Sequence, residues 1–253
     1  MCFRARWELE ERREAVAMNG HRKSQANAVF APETFRFFRE LGRNNRKAWM
    51  DQHRDRYRAV VVEPMRELLD RLTPAALRLD PRFDVSGRTG RNFSRINRDI
   101  RFARDKSPYR AQMYLKFAAS APGEAEETAE LYVGVAAETV TTGFRMYHNG
   151  RRSPAAARLV PRAAEHRAWL ERHRRRLARR YESYWYATER GEWTKHAGWP
   201  LEPAEWKKLK GWVVRRKLAP AAACRPSFVS EIERTFRELF PLYRFAAFQA
   251  WKP

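Results

Sequence analysis

Hydrophobic residues recur at helical spacing in the first third of the chain. The first set follows Pro32, a residue favoured in the first turn of a helix, and consists of Phe35, Phe38 and Leu41. A longer apolar stripe, with arginine and glutamate on its opposite side, consists of Tyr57, Val61, Met65, Leu68, Leu69 and Leu72. Pro64 lies inside this stripe and should kink the second helix or divide it in two. We expect these helices to cover one face of a sheet.

Alternating hydrophobic and polar residues predict three strands in the middle of the chain. Their inward-facing sets are Met113, Leu115 and Phe117, then Leu131, Val133 and Val135, then Thr142, Phe144 and Met146. Such alternation is typical of antiparallel strands with one buried face, so we expect a meander. The segment from Ser120 to Thr128 is rich in alanine, glycine and glutamate, and it predicts a mobile hairpin loop.

An arginine-rich helical pattern extends from Ser153 to Tyr184. Its candidate inward-facing residues are Leu159, Trp169, Leu170, Leu177 and Tyr181. The charge run from Arg172 to Arg180 is typical of a solvated helix face, and this interpretation is favoured. The alternative is a helix that lies along a phosphate backbone.

The last third should contain a loop, a short mixed segment and a final helix. The loop is expected around Gly191, Gly198 and Pro200, and the segment from Trp206 to Arg215 changes from helix-like to strand-like. The final helix has an apolar stripe of Phe228, Ile232, Phe236, Leu239 and Phe240, and Pro241 should end it.

Strands and helices are segregated along the chain instead of alternating regularly. This order predicts a single α+β domain over residues 29–253, with an antiparallel sheet packed against helices. Residues 1–28 are highly charged and lack an apolar face, so they should form a poorly ordered N-terminal extension. The protein could also begin at Met18.

The charge balance indicates an anionic partner. The chain has 52 lysines and arginines against 30 aspartates and glutamates, a net charge of +22. Nucleic acid is the usual partner of such a balance, followed by anionic membrane surfaces and polyanionic ligands. A solvating surface charge without a specific partner is an equally weighted alternative, because net charge governs solubility and encounter rates and not fold.

Cysteine usage and the N-terminal sequence predict a cytoplasmic protein. Cys2 and Cys224 lie far apart and outside metal-ligand spacing, which argues against a disulfide framework, a zinc site or any other metal site. The first residues are charged where a signal peptide would be apolar, and no stretch is long enough to cross a bilayer. We therefore expect no membrane partner. No cofactor-binding motif is present either.

The segment from Phe93 to Arg110 contains the strongest candidate site. It has many more cations than carboxylates, and we expect an anion-binding site formed by Arg95, Arg98, Asp99, Arg101, Lys106 and Tyr109. Arginine binds phosphate or carboxylate oxygens through two parallel hydrogen bonds and stays charged at working pH. Helix and strand both fit the local pattern. Ile96, Ile100 and Phe102 should brace the site.

A purely structural interpretation of the same segment remains open. Asp99 and Asp105 could pair with its arginines, and more distant acids such as Glu40, Asp51 or Glu63 could reach it. Asp99 is the only acid embedded between the arginines, which makes it a weak candidate for a catalytic base. Orienting Arg98 or Arg101 is its favoured role. His53, between two aspartates, is the best-placed histidine for acid–base work, but a solvated or capping role is favoured.

The segment also resembles the signature of the DUF2461 family, a bacterial and fungal domain of unknown function. The resemblance rests on Arg95-x-x-Arg98-Asp99-x-Arg101-Phe102-x-x-x-Lys106-x-x-Tyr109. It extends upstream to Asn44-Asn45-Arg46, Trp49, His53-Arg54-x-x-Tyr57 and Glu63-Pro64-Met65, and downstream to Phe228 and the Pro241–Phe245 region. Met50 stands where an aromatic residue is common, and the region from Tyr184 to Pro203 matches poorly. The resemblance supports the site in the basic segment and implies no particular reaction.

The sequence therefore favours an uncharacterised protein that binds, and possibly processes, a phosphate-bearing ligand such as a nucleotide or a nucleic-acid end. One alternative is a non-catalytic module that binds nucleic acid through its basic surface. Another is a structural protein in which the basic cluster is an ion-pair network. Whether the protein is an enzyme is left open.

Overall fold

The helical layer is formed by the first third of the chain, as its apolar spacing predicts. The computed structural model describes residues 27–101, 103–119, 127–148 and 154–247. The first helices are α1 (Pro32–Arg43), α2 (Lys47–Gln52) and α3 (Arg54–Tyr57), followed by a π turn (Arg58–Val62) and α4 (Glu63–Leu79). The apolar residues predicted to face inward on these elements are buried, except Tyr57, which is partly buried. Of the expected N-terminal extension, only Asn27 and Ala28 belong to the described residues.

The second helical stripe is divided near Pro64, as predicted. The regular helix is interrupted just before the proline, at the π turn. Because Pro64 has no N–H, it cannot donate to the carbonyl of Val60 in the regular helical pattern. The Thr34 hydroxyl of α1 donates to this carbonyl at 2.7 Å. The five-residue π turn contains Val60 and leads directly into α4. A side chain from α1 thus stabilises the break in the helix.

The sheet has six strands and is antiparallel throughout. Its strands are β1 (Gln112–Phe117), β2 (Glu127–Ala136), β3 (Val140–His148), β4 (Glu182–Glu189), β5 (Glu192–Ala197) and β6 (Leu209–Leu218). Their order is β1-β2-β3-β6-β4-β5, so the first three form the predicted meander. The loop expected from Ser120 to Thr128 lies largely outside the described residues, and β2 starts at Glu127.

The remaining helices pack on one face of this sheet. They are α5 (Pro154–Glu165), α6 (Arg167–Leu177), α7 (Pro203–Lys208), α8 (Pro220–Ala223) and α9 (Phe228–Ala247). Phe117 of β1 contacts Phe236 of α9, and Trp212 of β6 contacts Trp206 of α7. The inward residues predicted for the arginine-rich region are buried. The chain therefore forms an α+β fold with a single sheet, as expected.

Two expectations for the last third are wrong. The region around Gly191 and Gly198 is a β-hairpin, β4–β5, and not a loop. Pro241 does not end α9, which continues to Ala247. The carbonyl that loses its donor at this proline belongs to the exposed Arg237, while four residues beyond Pro241 are buried and keep the helix on the core: Leu242, Tyr243, Phe245 and Ala246. None of the described helices combines the length and apolarity that spanning a bilayer requires.

Candidate functional site

In its described residues, the segment from Phe93 to Arg110 forms neither a helix nor a regular strand. Its two arms run antiparallel, with hydrogen bonds from Arg98 N to the Pro108 carbonyl and from Arg110 N to the Ile96 carbonyl, both 2.8 Å. Aspartate side chains fold the region between the arms by bonding to nearby backbone N–H groups, which compete with a regular ladder. Asp99 accepts from Arg101 N at 3.2 Å, and Asp105 accepts from Ser107 N at 2.9 Å.

Most of the predicted cations in this segment are satisfied locally. Arg98 forms an ion pair with Asp105, and Arg101 pairs with Asp99 at 2.7 Å. Lys106 Nζ donates to the Ile100 carbonyl at 3.0 Å. These two ion pairs are among those that the structural interpretation of the segment expects.

The carboxylates of these pairs are poor bases. Hydrogen bonds from the Ser107 hydroxyl and backbone, followed by Arg98, lower the pKa of Asp105 to about 2. Hydrogen bonds from Arg101 lower the pKa of Asp99 below its ordinary value. A carboxylate with a lowered pKa accepts a proton less readily, which weakens the case for Asp99 as a general base.

Tyr109 anchors the basic segment to the helical layer. Its backbone is bracketed by the Asn45 side chain, which donates to the Tyr109 carbonyl at 2.8 Å and accepts from Tyr109 N at 3.0 Å. The ring is buried, with 8% of the residue exposed. Asp51 is the main cause of a raised pKa at Arg54, and the Tyr109 side chain contributes to the same shift. Tyr109 therefore lies against an arginine of the neighbouring helix.

A cavity of about 450 Å³ opens between this helix and the start of the basic segment. Four arginines line it: Arg54, Arg58, Arg66 and Arg95. Its apolar lining residues are Tyr57, Val62, Phe93, Ile96 and Met113. Glu63 is the one carboxylate among the lining residues, and Ser94, Asn97 and Thr89 add polar groups. The cavity combines a basic rim with an apolar wall.

The π turn helps to align the helical arginines on this cavity. Arg54 and Arg66 are twelve residues apart, which in a regular α helix would place them about 120° apart around the axis. The π turn is wider than an α-helical turn, so the chain rotates less per residue between them. Arg54, Arg58 and Arg66 can then line the same cavity, and π turns of this kind are frequent at functional sites.

The helical arginines have weak, exposed ion-pair partners. Arg54 contacts Asp51 at 2.6 Å, Arg58 contacts Asp55 at 3.5 Å, and Arg66 contacts Glu63 at 3.2 Å. At least half of each of these arginine side chains is exposed, and exposed pairs of this kind contribute little to stability. A ligand anion can therefore replace these carboxylates at low cost.

Arg95 differs from the other three cavity arginines. Within the described residues it forms no ion pair, and its backbone is fixed by Arg110, which donates to the Arg95 and Asn97 carbonyls at 3.1 and 3.3 Å. The Arg95 guanidinium is thus a cation on a fixed backbone at the cavity wall. Of the six predicted anion-binding residues, Arg95 is the one that lines the cavity.

Sequence reasoning gave the helical arginines no place in the anion site, although Arg54 belongs to the family resemblance. Arg54, Arg58 and Arg66 recur at intervals of four and eight residues, and this spacing was a visible signal. The apolar stripe places arginines on its opposite side and predicts no further role for them. His53, in contrast, is held structurally: Nδ1 donates to the Trp49 carbonyl at 2.8 Å, and the imidazole stacks on the Trp49 ring.

Metal binding finds no support in the described part of the chain. No three histidines, cysteines, aspartates or glutamates come together there in a way that could hold an ion.

Comparison with known proteins agrees with the sequence signature. No curated protein matches the chain. The model of a family described as "Conserved hypothetical protein (DUF2461)" matches residues 33–245, which include the basic segment, the π turn and every residue that lines the cavity. The chain therefore belongs to the DUF2461 family.

Proposed function

We propose that this protein binds a small phosphate-bearing molecule in the cavity between α3–α4 and the basic segment. The observation that carries the proposal is the convergence of four arginines and a single carboxylate on one cavity. Guanidinium groups bind phosphate oxygens through paired, charge-assisted hydrogen bonds. A phosphate dianion can occupy several guanidinium groups at once, so it suits this cavity better than a single carboxylate does.

The rest of the cavity fits the remainder of such a ligand. A volume of about 450 Å³ lies within the range of small-molecule sites, about 300–1,000 Å³. Tyr57, Phe93 and Met113 offer an apolar wall on which a base or another planar group can pack. A nucleoside monophosphate has both parts, the phosphate and the planar group.

The lining residues favour binding over catalysis. They include no histidine or cysteine, and Glu63, the lining carboxylate, is exposed and paired with Arg66. General acid–base catalysis requires a group with a suitable pKa held close to the reacting atom. We therefore assign the cavity to recognition.

Calorimetric titration with nucleoside monophosphates and the matching nucleosides tests this proposal. The wild-type protein should bind at least one monophosphate and bind its nucleoside much more weakly. A hydrogen bond to a charged group contributes about 1.5–3 kcal/mol, so Arg95→Gln should weaken phosphate binding by roughly 10- to 100-fold. Arg101→Gln is the matched control, because Arg101 belongs to the same segment and pairs with Asp99 outside the cavity lining.

Three results would contradict the proposal. The first is that no monophosphate binds, and the second is that nucleosides bind as tightly as their phosphates. The third is an equal loss of affinity in Arg95→Gln and Arg101→Gln, which would place the ligand elsewhere on the basic segment.

A further inference from the structure

The sheet has a second face, opposite the one on which the helices pack, and we call it the outer face. Side chains alternate between the two faces along each strand. On β1, Met113 and Leu115 face the core, so Tyr114 lies on the outer face. The same alternation and the strand registers place six aromatic residues there: Tyr114, Tyr132, Tyr147, Tyr184, Tyr186 and Trp193. Tyr132 and Tyr184 are buried under their neighbours, so the other four supply the accessible rings of this face.

Glycines on the neighbouring strands make room for two of these rings. A Cβ atom at Gly134 would stand 2.4 Å from the Tyr114 ring, and one at Gly211 would stand 2.6 Å from the Tyr147 ring. Each ring therefore covers the backbone of the neighbouring strand. The Arg145 guanidinium lies 4.4 Å from the centre of the Tyr114 ring, so Tyr147, Tyr186 and Trp193 are the rings best placed to receive a base.

Trp193 extends this aromatic surface into solvent. It is 50% exposed, and no other large hydrophobic residue is exposed in the part of the chain that the structure describes. Its ring lies 6.3 Å from that of Tyr147, at an interplanar angle of 28°, and 5.7 Å from that of Tyr186. Trp193 and these two partly exposed tyrosines form a contiguous aromatic patch, and contiguous patches, unlike single exposed residues, mark interaction sites.

Cations surround these rings in excess over carboxylates. Five cations lie on the outer face: Lys116, Arg145, Lys195, Arg215 and Lys217. Their counterparts are two glutamates, each of which pairs with two of the cations: Glu130 with Arg145 and Lys116, and Glu182 with Arg215 and Lys217. Lys195 Nζ lies 4.0 Å from the centre of the Tyr184 ring and has no carboxylate partner within the described residues. The surface is thus aromatic and positively charged.

We infer that the outer face binds single-stranded nucleic acid. Each unpaired base has a π-face that can stack on an accessible aromatic ring such as that of Trp193, and the phosphates between bases would contact the lysines and arginines. In a duplex the bases are already stacked on one another, so this surface selects single strands. The inference is independent of the proposed phosphate cavity, which is formed by the helices and the basic segment.

Fluorescence anisotropy with a short labelled oligothymidylate tests this inference. Stacking of one base on an aromatic ring corresponds to roughly a 5- to 100-fold change in affinity, so we expect Trp193→Ala to weaken binding about tenfold. Trp193→Phe keeps a ring and should restore most of the affinity. Because Trp193 is half exposed, neither variant should disturb folding, which circular dichroism checks.

The charges on this face are tested with a matched pair of variants. For single strands, log affinity falls with log salt by about 0.7 for each phosphate neutralised, so Lys195→Gln should reduce that slope by about 0.7. Arg172→Gln removes one charge from the exposed side of α6 and should leave affinity and slope unchanged. The nucleoside monophosphates used for the cavity should not compete with the oligonucleotide at concentrations that saturate the cavity.

Four outcomes would overturn the inference. Unchanged affinity in a folded Trp193→Ala protein would exclude stacking at this position. Equal binding of a duplex of the same sequence would exclude recognition of unpaired bases. An equal loss in Arg172→Gln would place the nucleic acid on α6. Displacement by polyglutamate at the same charge concentration would indicate an acidic polypeptide as the partner.

Discussion

The hydrogen bond between Thr34 and Val60 predicts how strongly the π turn depends on its neighbour α1. Thr34 is 1% exposed, and its hydroxyl donates at 2.7 Å to the carbonyl that Pro64 cannot serve. Thr34→Val replaces the hydroxyl by a methyl group of similar size, so the change removes the hydrogen bond without creating a large cavity.

The expected loss of stability follows from the burial of this contact. A buried polar group left without its partner costs about 1–3 kcal/mol, and here the group is a backbone carbonyl. We therefore expect Thr34→Val to lower the free energy of unfolding by about 2 kcal/mol. For a chain of this size, that corresponds to a fall in Tm of roughly 4–8 °C. Ligand affinity should also fall, because the π turn aligns Arg58 and Arg66.

Urea unfolding of two threonine variants provides the measurement and its control. The Thr73 hydroxyl donates to the Leu69 carbonyl at 2.8 Å within α4, where that carbonyl also has its regular helical donor. Thr73→Val should therefore change stability by much less than Thr34→Val. A loss in Thr34→Val no larger than that in Thr73→Val would refute the role assigned to Thr34.

Two further predictions concern the basic segment and the sheet. The carboxyl of Asp105 should titrate near pH 2 in carbon-detected NMR, and Ser107→Ala should raise this pKa most, because the Ser107 hydroxyl is the largest cause of the shift. Since the pKa of Asp105 in the folded state is lowered from 3.8, its contacts stabilise the fold fully above pH 3.8, and this stabilisation is lost as the pH falls towards 2. A titration midpoint near 3.8 for Asp105 in the wild-type protein would contradict these contacts. Gly143→Ala would place a Cβ atom 2.2 Å from the Val214 carbonyl oxygen, so it should lower the free energy of unfolding by about 3 kcal/mol. Gly42→Ala, whose Cβ atom would meet nothing closer than 3.9 Å, should be nearly neutral in the same urea titration, and equal losses would show that the strand tolerates the contact.

The parts of the fold with one buried face could be predicted from the sequence. β1 buries every second residue, so its alternation is visible along the chain. On β2 and β3 the residues between the inward-facing sets are buried too, but they include polar or small ones such as Glu130, Thr141 and Gly143, which keep the alternation visible. The hairpin β4–β5 was missed because both of its faces carry aromatic residues. Tyr184 and Tyr186 lie on the outer face while Trp185 lies in the core, and the three together show no alternation. Long-range packing also overrode the local stop signal at Pro241.

The candidate site was predicted only in part, for a similar reason. The basic segment is prominent in the sequence because its charge is local, but local aspartates satisfy Arg98 and Arg101. Arg95 was found, whereas its partners in the cavity come from a helix about thirty to forty residues earlier in the chain. Their convergence depends on the π turn, and that turn depends on a contact between Thr34 and Val60 that sequence spacing does not reveal. Phe102, expected to brace the site, lies outside the described residues.

The most direct test of the central claim is to locate a phosphate analogue in a crystal. Tungstate is tetrahedral and doubly negative like phosphate, and its anomalous scattering identifies its position without ambiguity. Crystals of the wild-type protein soaked in tungstate should show an anomalous peak within hydrogen-bonding distance of Arg95 and at least one of Arg54, Arg58 and Arg66, and crystals of Arg95→Gln should show a much weaker one. Peaks confined to other basic surfaces, such as the exposed side of α6, with the cavity empty, would contradict the account.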